Sequence, residues 1–434
     1  MDDLVDTVAP GENVVVSGTL HVLDSEESKI YRYISNYSIL LDSSKTSASY
    51  SLTMSVNSIR GGKKTTNQND NLGEESKSSA ALFTVQDREI IQGIAGKKNA
   101  FKLLVDSLCP EIFGHEIIKT GLLLALFRGR ENPTARSNPH ILIVGDPGLG
   151  KSQMLSAVAA VAPRSVFVGA NTSTAAGLTA TLHQEGGPGE YALEAGALVL
   201  ADQGCCCIDE FDKLTEHRVL LDVMEQQVVN VAKAGVVCSL PARASILAAA
   251  NPVGGHYNHD KTISQNIKLD EALLSRFDLI FVLLDRPDQE IDRYLSEQIL
   301  SKISSTTKPN SMNSQFSKAK TLTTQISETQ DSMHSSTFLR NLCKKQTENI
   351  LICPQILRKY ISYAQRFISP KLSPEAAQVL KEFYLSCRQN EKTDALPITT
   401  RQLESAIRLS EARAKAELRL TVTKEDAEDV IAIM

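Results

Sequence analysis

The stretch "GDPGLGKS", Gly145 to Ser152, ends in a lysine and a serine and carries three glycines. Gly145, Gly150, Lys151 and Ser152 fit the spacing G-x-x-x-x-G-K-[ST], between the apolar run "ILIV" (141–144) and a segment of helical character. Glycines let the backbone wrap closely enough for its N–H groups to face phosphate oxygens. The N-terminus of the following helix adds about half a positive charge. Lys151 can then reach the β- and γ-phosphates, and the Ser152 hydroxyl can ligate Mg²⁺. Asp146, Pro147, Gly148 and Leu149 supply the backbone between. The loop points to a nucleoside triphosphate and says nothing about the work done with it.

Three further stretches could act on that triphosphate. In "CCCIDEFD", Asp209 and Glu210 end an apolar, strand-like run. If this strand neighbours that of the P-loop, Asp209 holds Mg²⁺ through water, and Glu210 orients and polarises the attacking water. "SILAAANP" ends on Asn251, whose amide could bond the γ-phosphate or the lytic water, although an Asn before Pro is more often a turn residue. "LLSRFDLIF" puts Arg276 just ahead of another strand-like run. Phosphoryl transfer gains from an arginine that spreads transition-state charge. Taken alone, however, Arg276 reads as a surface residue paired with Asp278.

Elements must position these residues. Between 81 and 300 the short apolar runs are "ILIV", "SVFV" (165–168), "CCCI" (205–208), "SILAAA" (245–250) and "LIFVLL" (279–284). Near-continuous apolar runs with room for helices between them predict an α/β domain whose parallel sheet is covered on both faces. At 434 residues, 42% of them hydrophobic, the chain should hold two or three domains with sizeable cores. Residues 1–60 carry two strand-like stretches, 13–23 and 49–59, too few for a stable sheet. Residues 61–80 form a polar linker. Within the connector 301–345, Ser, Thr, Asn and Gln fill 22 of the positions 301–340, a composition that predicts disorder. Residues 346–434 read as a helical domain with no strand signal. In its last helix Thr423 and Asp426 form a capping box, and Ala427, Val430, Ile431 and Met434 make one apolar stripe.

Composition excludes some classes. A net charge of −5 means that any nucleic-acid contact must use a local basic patch. The eight cysteines include no C-x-x-C pair, which argues against a zinc site; Cys205, Cys206 and Cys207 read as reduced core residues of an intracellular protein. No apolar run reaches the ~18 residues of a membrane span, and no signal-peptide core opens the chain, so a soluble protein is expected.

The ordered set "GDPGLGKSQ", "IDEFDK", "MEQQ", "AKAG", "AAANPVGG" and "LLSRFDL" resembles the minichromosome-maintenance (MCM) family of AAA+ helicases. "QILRKYISYA" and "ITTRQLESAIRLSEARA" extend the likeness through 346–434. The wording is most similar to a paralogue outside the replicative set, one associated with homologous-recombination repair. The resemblance implies an AAA+ core with a helical lid, preceded by the tail of an OB-fold domain at 1–60. It implies an ATP- and Mg²⁺-dependent ring, a homo- or hetero-hexamer with a paralogous subunit, acting on single-stranded or forked DNA in the nucleus, with no membrane partner. Lys151, Ser152, Asp209, Glu210 and Asn251 match the family's P-loop, Walker B and sensor-one positions, which act in cis. Arg276 matches the arginine finger and Arg401 sensor two, which act on the neighbouring subunit, so a lone subunit should hydrolyse poorly. The hairpin "NVAKAG" (230–235) with Lys233, and the insertion 181–198, match DNA-facing loops. Two departures stand out: Asp209 to Glu225 is slightly shorter than the family's usual spacing, and 301–340 resembles no family motif. A competing reading is a ring scaffold that binds ATP, turns it over little and recruits partners. The presence of Lys151, Asp209, Glu210 and Arg276 favours the enzyme.

Overall fold

The computed structural model describes residues 14–23, 51–61 and 83–285 (apart from 98, 133–135, 185–190, 215–216, 234–235, 259–261 and 268), single positions between 289 and 300, and 351–389 and 398–434. The expected linkers lie outside the described residues, save for Gly61. β1 (Val14–Leu23) and β2 (Ser51–Gly61) pair antiparallel with a bulge at Ser17/Gly18. Three helices follow: α1 (Val85–Ala95), α2 (Ala100–Leu108) and α3 (Glu116–Phe127).

All five apolar runs form strands: β3 (Ile141–Gly145), β4 (Ser165–Gly169), then, after the hairpin β5 (Ala180–Gln184) and β6 (Tyr191–Ala195), β7 (Cys205–Asp209). Next come the hairpin β8 (Val228–Lys233) and β9 (Val236–Pro241), then β10 (Ser245–Ala250) and β11 (Leu279–Leu283). The core sheet is parallel throughout, in the order β11-β3-β10-β7-β4. Side chains alternate between two cores. Ile141, Ile143, Cys205, Cys207 and Leu247 face one, and Leu142, Val144, Cys206, Ile208 and Ile246 face the other. Burial on both faces is why these runs carry no polar alternation. β4 and β11 are the edge strands, and Phe167 of β4 is exposed. Among the described residues no helix is long and apolar enough to cross a membrane.

The helices that carry the site are α4 (Lys151–Val161), behind the P-loop, and α5 (Arg218–Gln226), ahead of β8. The C-terminal part holds α6 (Pro354–Phe367), α7 (Pro374–Gln389), α8 (Thr400–Ala416) and α9 (Lys424–Ile433). It also contains a two-residue parallel pair, Lys371–Leu372 with Thr421–Val422, where no strand was expected. Segments this short carry no readable period. The Thr423–Asp426 capping box is present. Ala427 and Val430 are buried, but Ile433 rather than Met434 completes the buried stripe. Leu357, Tyr360, Ile361, Leu409 and Ala412 join the core that covers the first face of the sheet, so the lid helices share apolar packing with the nucleotide domain.

One buried carboxylate holds the same junction. The Asp278 side chain is fully buried; Arg408 Nη1 donates to its Oδ1 at 2.6 Å and Arg136 Nη2 at 3.0 Å. The His140 N–H donates to Oδ2 at 2.7 Å, and the Ser405 hydroxyl also donates to Oδ1. Ser405 and Arg408 come from lid helix α8, Arg136 and His140 from the chain entering β3. The sequence-based pairing of Arg276 with Asp278 is therefore wrong. Two arginines distant in sequence occupy that carboxylate, and no local pattern reveals them.

Burial would raise the Asp278 pKa, but the Arg408 and Arg136 guanidiniums and the surrounding hydrogen bonds outweigh it and hold the carboxyl below its ordinary value of 3.8. A depressed carboxylate stabilises the fold fully above its unfolded pKa and loses that contribution as pH falls through its folded pKa. Asp278→Asn should leave two buried guanidiniums undercompensated and cost about 3–5 kcal/mol in a urea-unfolding measurement near neutral pH. The gap between variant and wild type should close in acid, below the ordinary value of 3.8.

Candidate nucleotide site

The P-loop lies where β3 gives way to α4. Gly148 (φ 91°) and Gly150 (φ 77°) adopt left-handed backbone, which turns the loop back over the helix N-terminus. Gly145 is needed for a different reason. A Cβ there would meet the Leu283 carbonyl oxygen at 2.6 Å and its Cβ at 2.7 Å, because β11 runs alongside. Lys151 is buried, and its Nζ donates to the carbonyls of Gly145 and Asp146, each at 2.6 Å. Burial lowers its pKa, opposed by the carboxylates of Asp146, Asp209 and Asp212. Ser152 is exposed on the first turn of α4. Asp146 Oδ1 accepts from the Tyr257 N–H at 3.1 Å and so ties the loop to the segment after β10. A cationic Nζ, a helix N-terminus and a glycine-turned backbone form a donor set suited to a polyphosphate.

β3 and β7 are not neighbours, contrary to the condition on which Asp209 was placed; β10 runs between them. Because all three are parallel, their C-terminal ends still open on one edge. Lys151, Asn251 and Asp209 therefore follow adjacent strand ends, with Asn251 in the middle. The Asn251 N–H donates to Asp212 Oδ1 at 3.0 Å, which packs the end of β10 against the turn carrying Asp209 and Glu210. Glu210 adopts left-handed backbone (φ 55°), and its N–H donates to Asp209 Oδ1 at 2.9 Å. Its half-exposed carboxylate pairs with Lys213 Nζ at 3.1 Å. Asp209 and Ser152 each carry an oxygen of the kind that a magnesium ion takes. Sequence reasoning passed over Asp212; its signal was the third acidic residue of "DEFD".

Arg276 and Arg401 are not at this site. Arg276 precedes β11, whose Leu279 pairs with Ile141 at the start of β3, whereas the P-loop follows the end of β3. Roughly 15 Å of strand separates the two edges. At the far edge Arg276 Nη2 pairs with Glu225 Oε2, and Arg276 Nη1 donates to the Ala272 carbonyl at 2.8 Å. Arg401, on the first turn of α8, donates to Glu225 Oε1 at 3.0 Å and to Ser275 Oγ at 3.2 Å. The structure thus brings both arginines together on one carboxylate. Sequence reasoning met Glu225 only as a spacing marker in "MEQQ".

Lys233 ends β8 and pairs with Val236 of β9. Its side chain and the hairpin tip at 234–235 lie outside the described residues. The expected insertion appears as β5 paired with β6, with its tip at 185–190 also outside them.

Residues 87–303 match the MCM P-loop domain, and residues 355–434 match the MCM AAA-lid domain. All of the chain aligns with DNA helicase MCM8 of Gallus gallus at 48% identity, over 52% of that protein. It aligns with DNA helicase MCM8 of Homo sapiens at 46% identity over 51%, and with a probable DNA helicase MCM8 of Arabidopsis thaliana at 42% over 56%. The chain spans about half the length of these curated relatives.

The two P-loop glycines should respond differently to a methyl group. Gly145→Ala forces β3 and β11 apart at the base of the loop and should cost about 1–3 kcal/mol in stability together with a large loss of nucleotide affinity. Gly148→Ala meets nothing within 4 Å, and only its left-handed backbone is penalised, by about 1–2 kcal/mol. Thermal unfolding and titration with a fluorescent nucleotide on both variants check the ranking.

Proposed function

Since the chain belongs to the MCM family, we propose that it is an ATP-driven DNA translocase and helicase subunit working in a ring. One observation carries this reading. Within a single chain, Lys151, Asn251 and Asp209 lie at one edge of the sheet and Arg276 with Arg401 at the other. Neither arginine can serve its own P-loop without dismantling the sheet. Neighbouring copies, or a paralogous partner, arranged head to tail in a hexamer would bring each arginine pair to the next chain's site.

In this mechanism the P-loop N–H groups and Lys151 bind the triphosphate of ATP. Lys151 Nζ exchanges its two carbonyl partners for phosphate oxygens. Magnesium, held by Ser152 and through water by Asp209, would neutralise charge on the phosphates. Asn251, between the two strands, orients the lytic water or the γ-phosphate through its amide. Glu210 takes that water's proton and must first leave Lys213. Arg276 and Arg401 from the neighbour spread the negative charge that builds on the transferring phosphoryl group.

Work on DNA is assigned to the hairpin β8–β9, whose first strand ends at Lys233, together with the insertion β5–β6. One phosphate contact per subunit, repeated around a ring, lets an acidic protein hold DNA. Residues 1–60 are read as the tail of an OB-fold domain, 81–300 as the ATPase core and 346–434 as the lid, with linkers at 61–80 and 301–345. Action in the nucleus, in homologous-recombination repair, rests on the sequence resemblance; the relatives' names add that they are DNA helicases.

Glu210→Gln should retain ATP binding and abolish turnover, because an amide keeps the shape but cannot accept the water's proton. Nucleotide binding and phosphate release measured on one preparation check this, and wild-type turnover would remove Glu210 from its role. Lys233→Ala should weaken DNA binding uniformly across sequences and reduce the slope of log affinity against log salt by about one. Titrations at several salt concentrations on unrelated oligonucleotides decide it.

A further inference from the structure

We infer that Glu225 is a positioning residue for the neighbouring subunit's ATP site: its one carboxylate clamps Arg276 of the core and Arg401 of the lid into a single two-guanidinium fork. The inference rests on the reading above that these arginines act across a subunit interface.

The two carboxylate oxygens divide the work. Oε1 accepts from Arg401 Nη2 at 3.0 Å, and Oε2 pairs with Arg276 Nη2. The outer atoms are fastened to adjacent backbone. Arg276 Nη1 donates to Ala272 O at 2.8 Å, and Arg401 Nη1 to Ser275 Oγ at 3.2 Å. Without Glu225, two guanidiniums would sit side by side with no counter-charge between them, and each long side chain would regain its rotamers. With it, the pair keeps one net positive charge in a fixed geometry. The Arg276 Nε is buried and has no hydrogen-bond partner among the described residues, so the fork still holds an unused donor. The Arg276 hydrogen bond, followed by the nearby positive charges, keeps the Glu225 carboxyl below its usual range and ionised at neutral pH.

A stability role does not account for this arrangement. The shared Glu225 side chain is 50% exposed and that of Arg401 37%; only Arg276, at 16%, is largely buried. Exposed ion pairs contribute little to folding. What the contact does accomplish is registration across domains. Arg276 follows the short helix before β11, whereas Arg401 is on lid helix α8. A change in the angle between lid and core would pull one guanidinium from the other, and Glu225 resists that separation. Glu225 also lies three residues ahead of β8, the hairpin strand that ends at Lys233.

The test compares Glu225→Gln, Glu225→Asp, Arg276→Ala and Lys151→Ala, alone and in pairwise mixtures, under conditions where rings assemble and exchange subunits. Glu225→Gln should lower kcat by about 10- to 100-fold, as for misplaced transition-state contacts, with the KM for ATP and the nucleotide affinity of its own P-loop little changed. Glu225→Asp, charged but one methylene shorter, should fall between. Mixing Glu225→Gln with Lys151→Ala should restore activity at the interfaces that join an intact P-loop to an intact fork, as mixing Arg276→Ala with Lys151→Ala should. Wild-type turnover in Glu225→Gln would overturn the assignment. So would a loss that Lys151→Ala chains fail to complement while they do complement Arg276→Ala, or a loss of ring assembly. If Arg276→Ala is not complemented either, the trans-acting reading fails and takes the Glu225 assignment with it.

Discussion

Asp278 is the constraint around which the distal edge of this protein is built. Its buried carboxylate satisfies Arg136 and Arg408 and accepts from the His140 N–H and the Ser405 hydroxyl. Arg136 also donates to the carbonyls of Met224 and Arg276. The backbone on either side of the Glu225–Arg276 pair is thereby pinned to one guanidinium. Arg408 donates to the Arg136 carbonyl at 2.9 Å, so the lid helix that carries Arg401 is tied to the same knot. His140 belongs to it as a neutral ring. Burial and the adjacent Arg136 push its pKa down to about 3, and its Nδ1 accepts from the Ile246 N–H at 3.0 Å. A charged imidazole could not accept that bond. Such a network is costly to desolvate and so is weak evidence of stability for its own sake. What it secures is a single geometry for lid, core and the two arginines.

The opposite edge follows a simpler rule. Parallel strands end together, so residues that follow β3, β10 and β7 share one rim however far apart they are in sequence. Inserting β10 between β3 and β7 puts an amide, not a carboxylate, next to the phosphate loop and holds Asp209 one strand further out. Asp212 then secures the joint by accepting from the Asn251 N–H. In the isolated chain Lys151 is bonded to loop carbonyls and Glu210 to Lys213, so the main charged groups of the rim are internally paired.

These two edges explain how an acidic chain can belong to the MCM family. The surfaces that matter carry their charge locally: a lysine and a helix N-terminus at one rim, and a guanidinium pair at the other. The whole chain's net charge of −5 does not oppose either. It does demand that any contact with a polyanion be confined to places of locally positive charge.

By itself the sequence determined the phosphate loop, the five core strands and the acidic strand end. Each depends on residues close together in the chain. Glycine spacing dictates backbone conformation locally, and a strand buried on both faces must be apolar at every position, as "CCCI" and "SILAAA" are. The resemblance to MCM proteins was legible for the same reason, since its motifs are short and ordered. Only the tertiary structure decided strand order, and with it that Asn251 stands between Lys151 and Asp209. Only it replaced the supposed Arg276–Asp278 pair with Arg276–Glu225, and gave Asp278 to Arg136 and Arg408, residues more than a hundred positions away from it. Ion pairs of that kind leave no periodic trace. Any carboxylate of the chain could satisfy a guanidinium, and the choice is made by which ends of which strands and helices the packed core brings within hydrogen-bond reach.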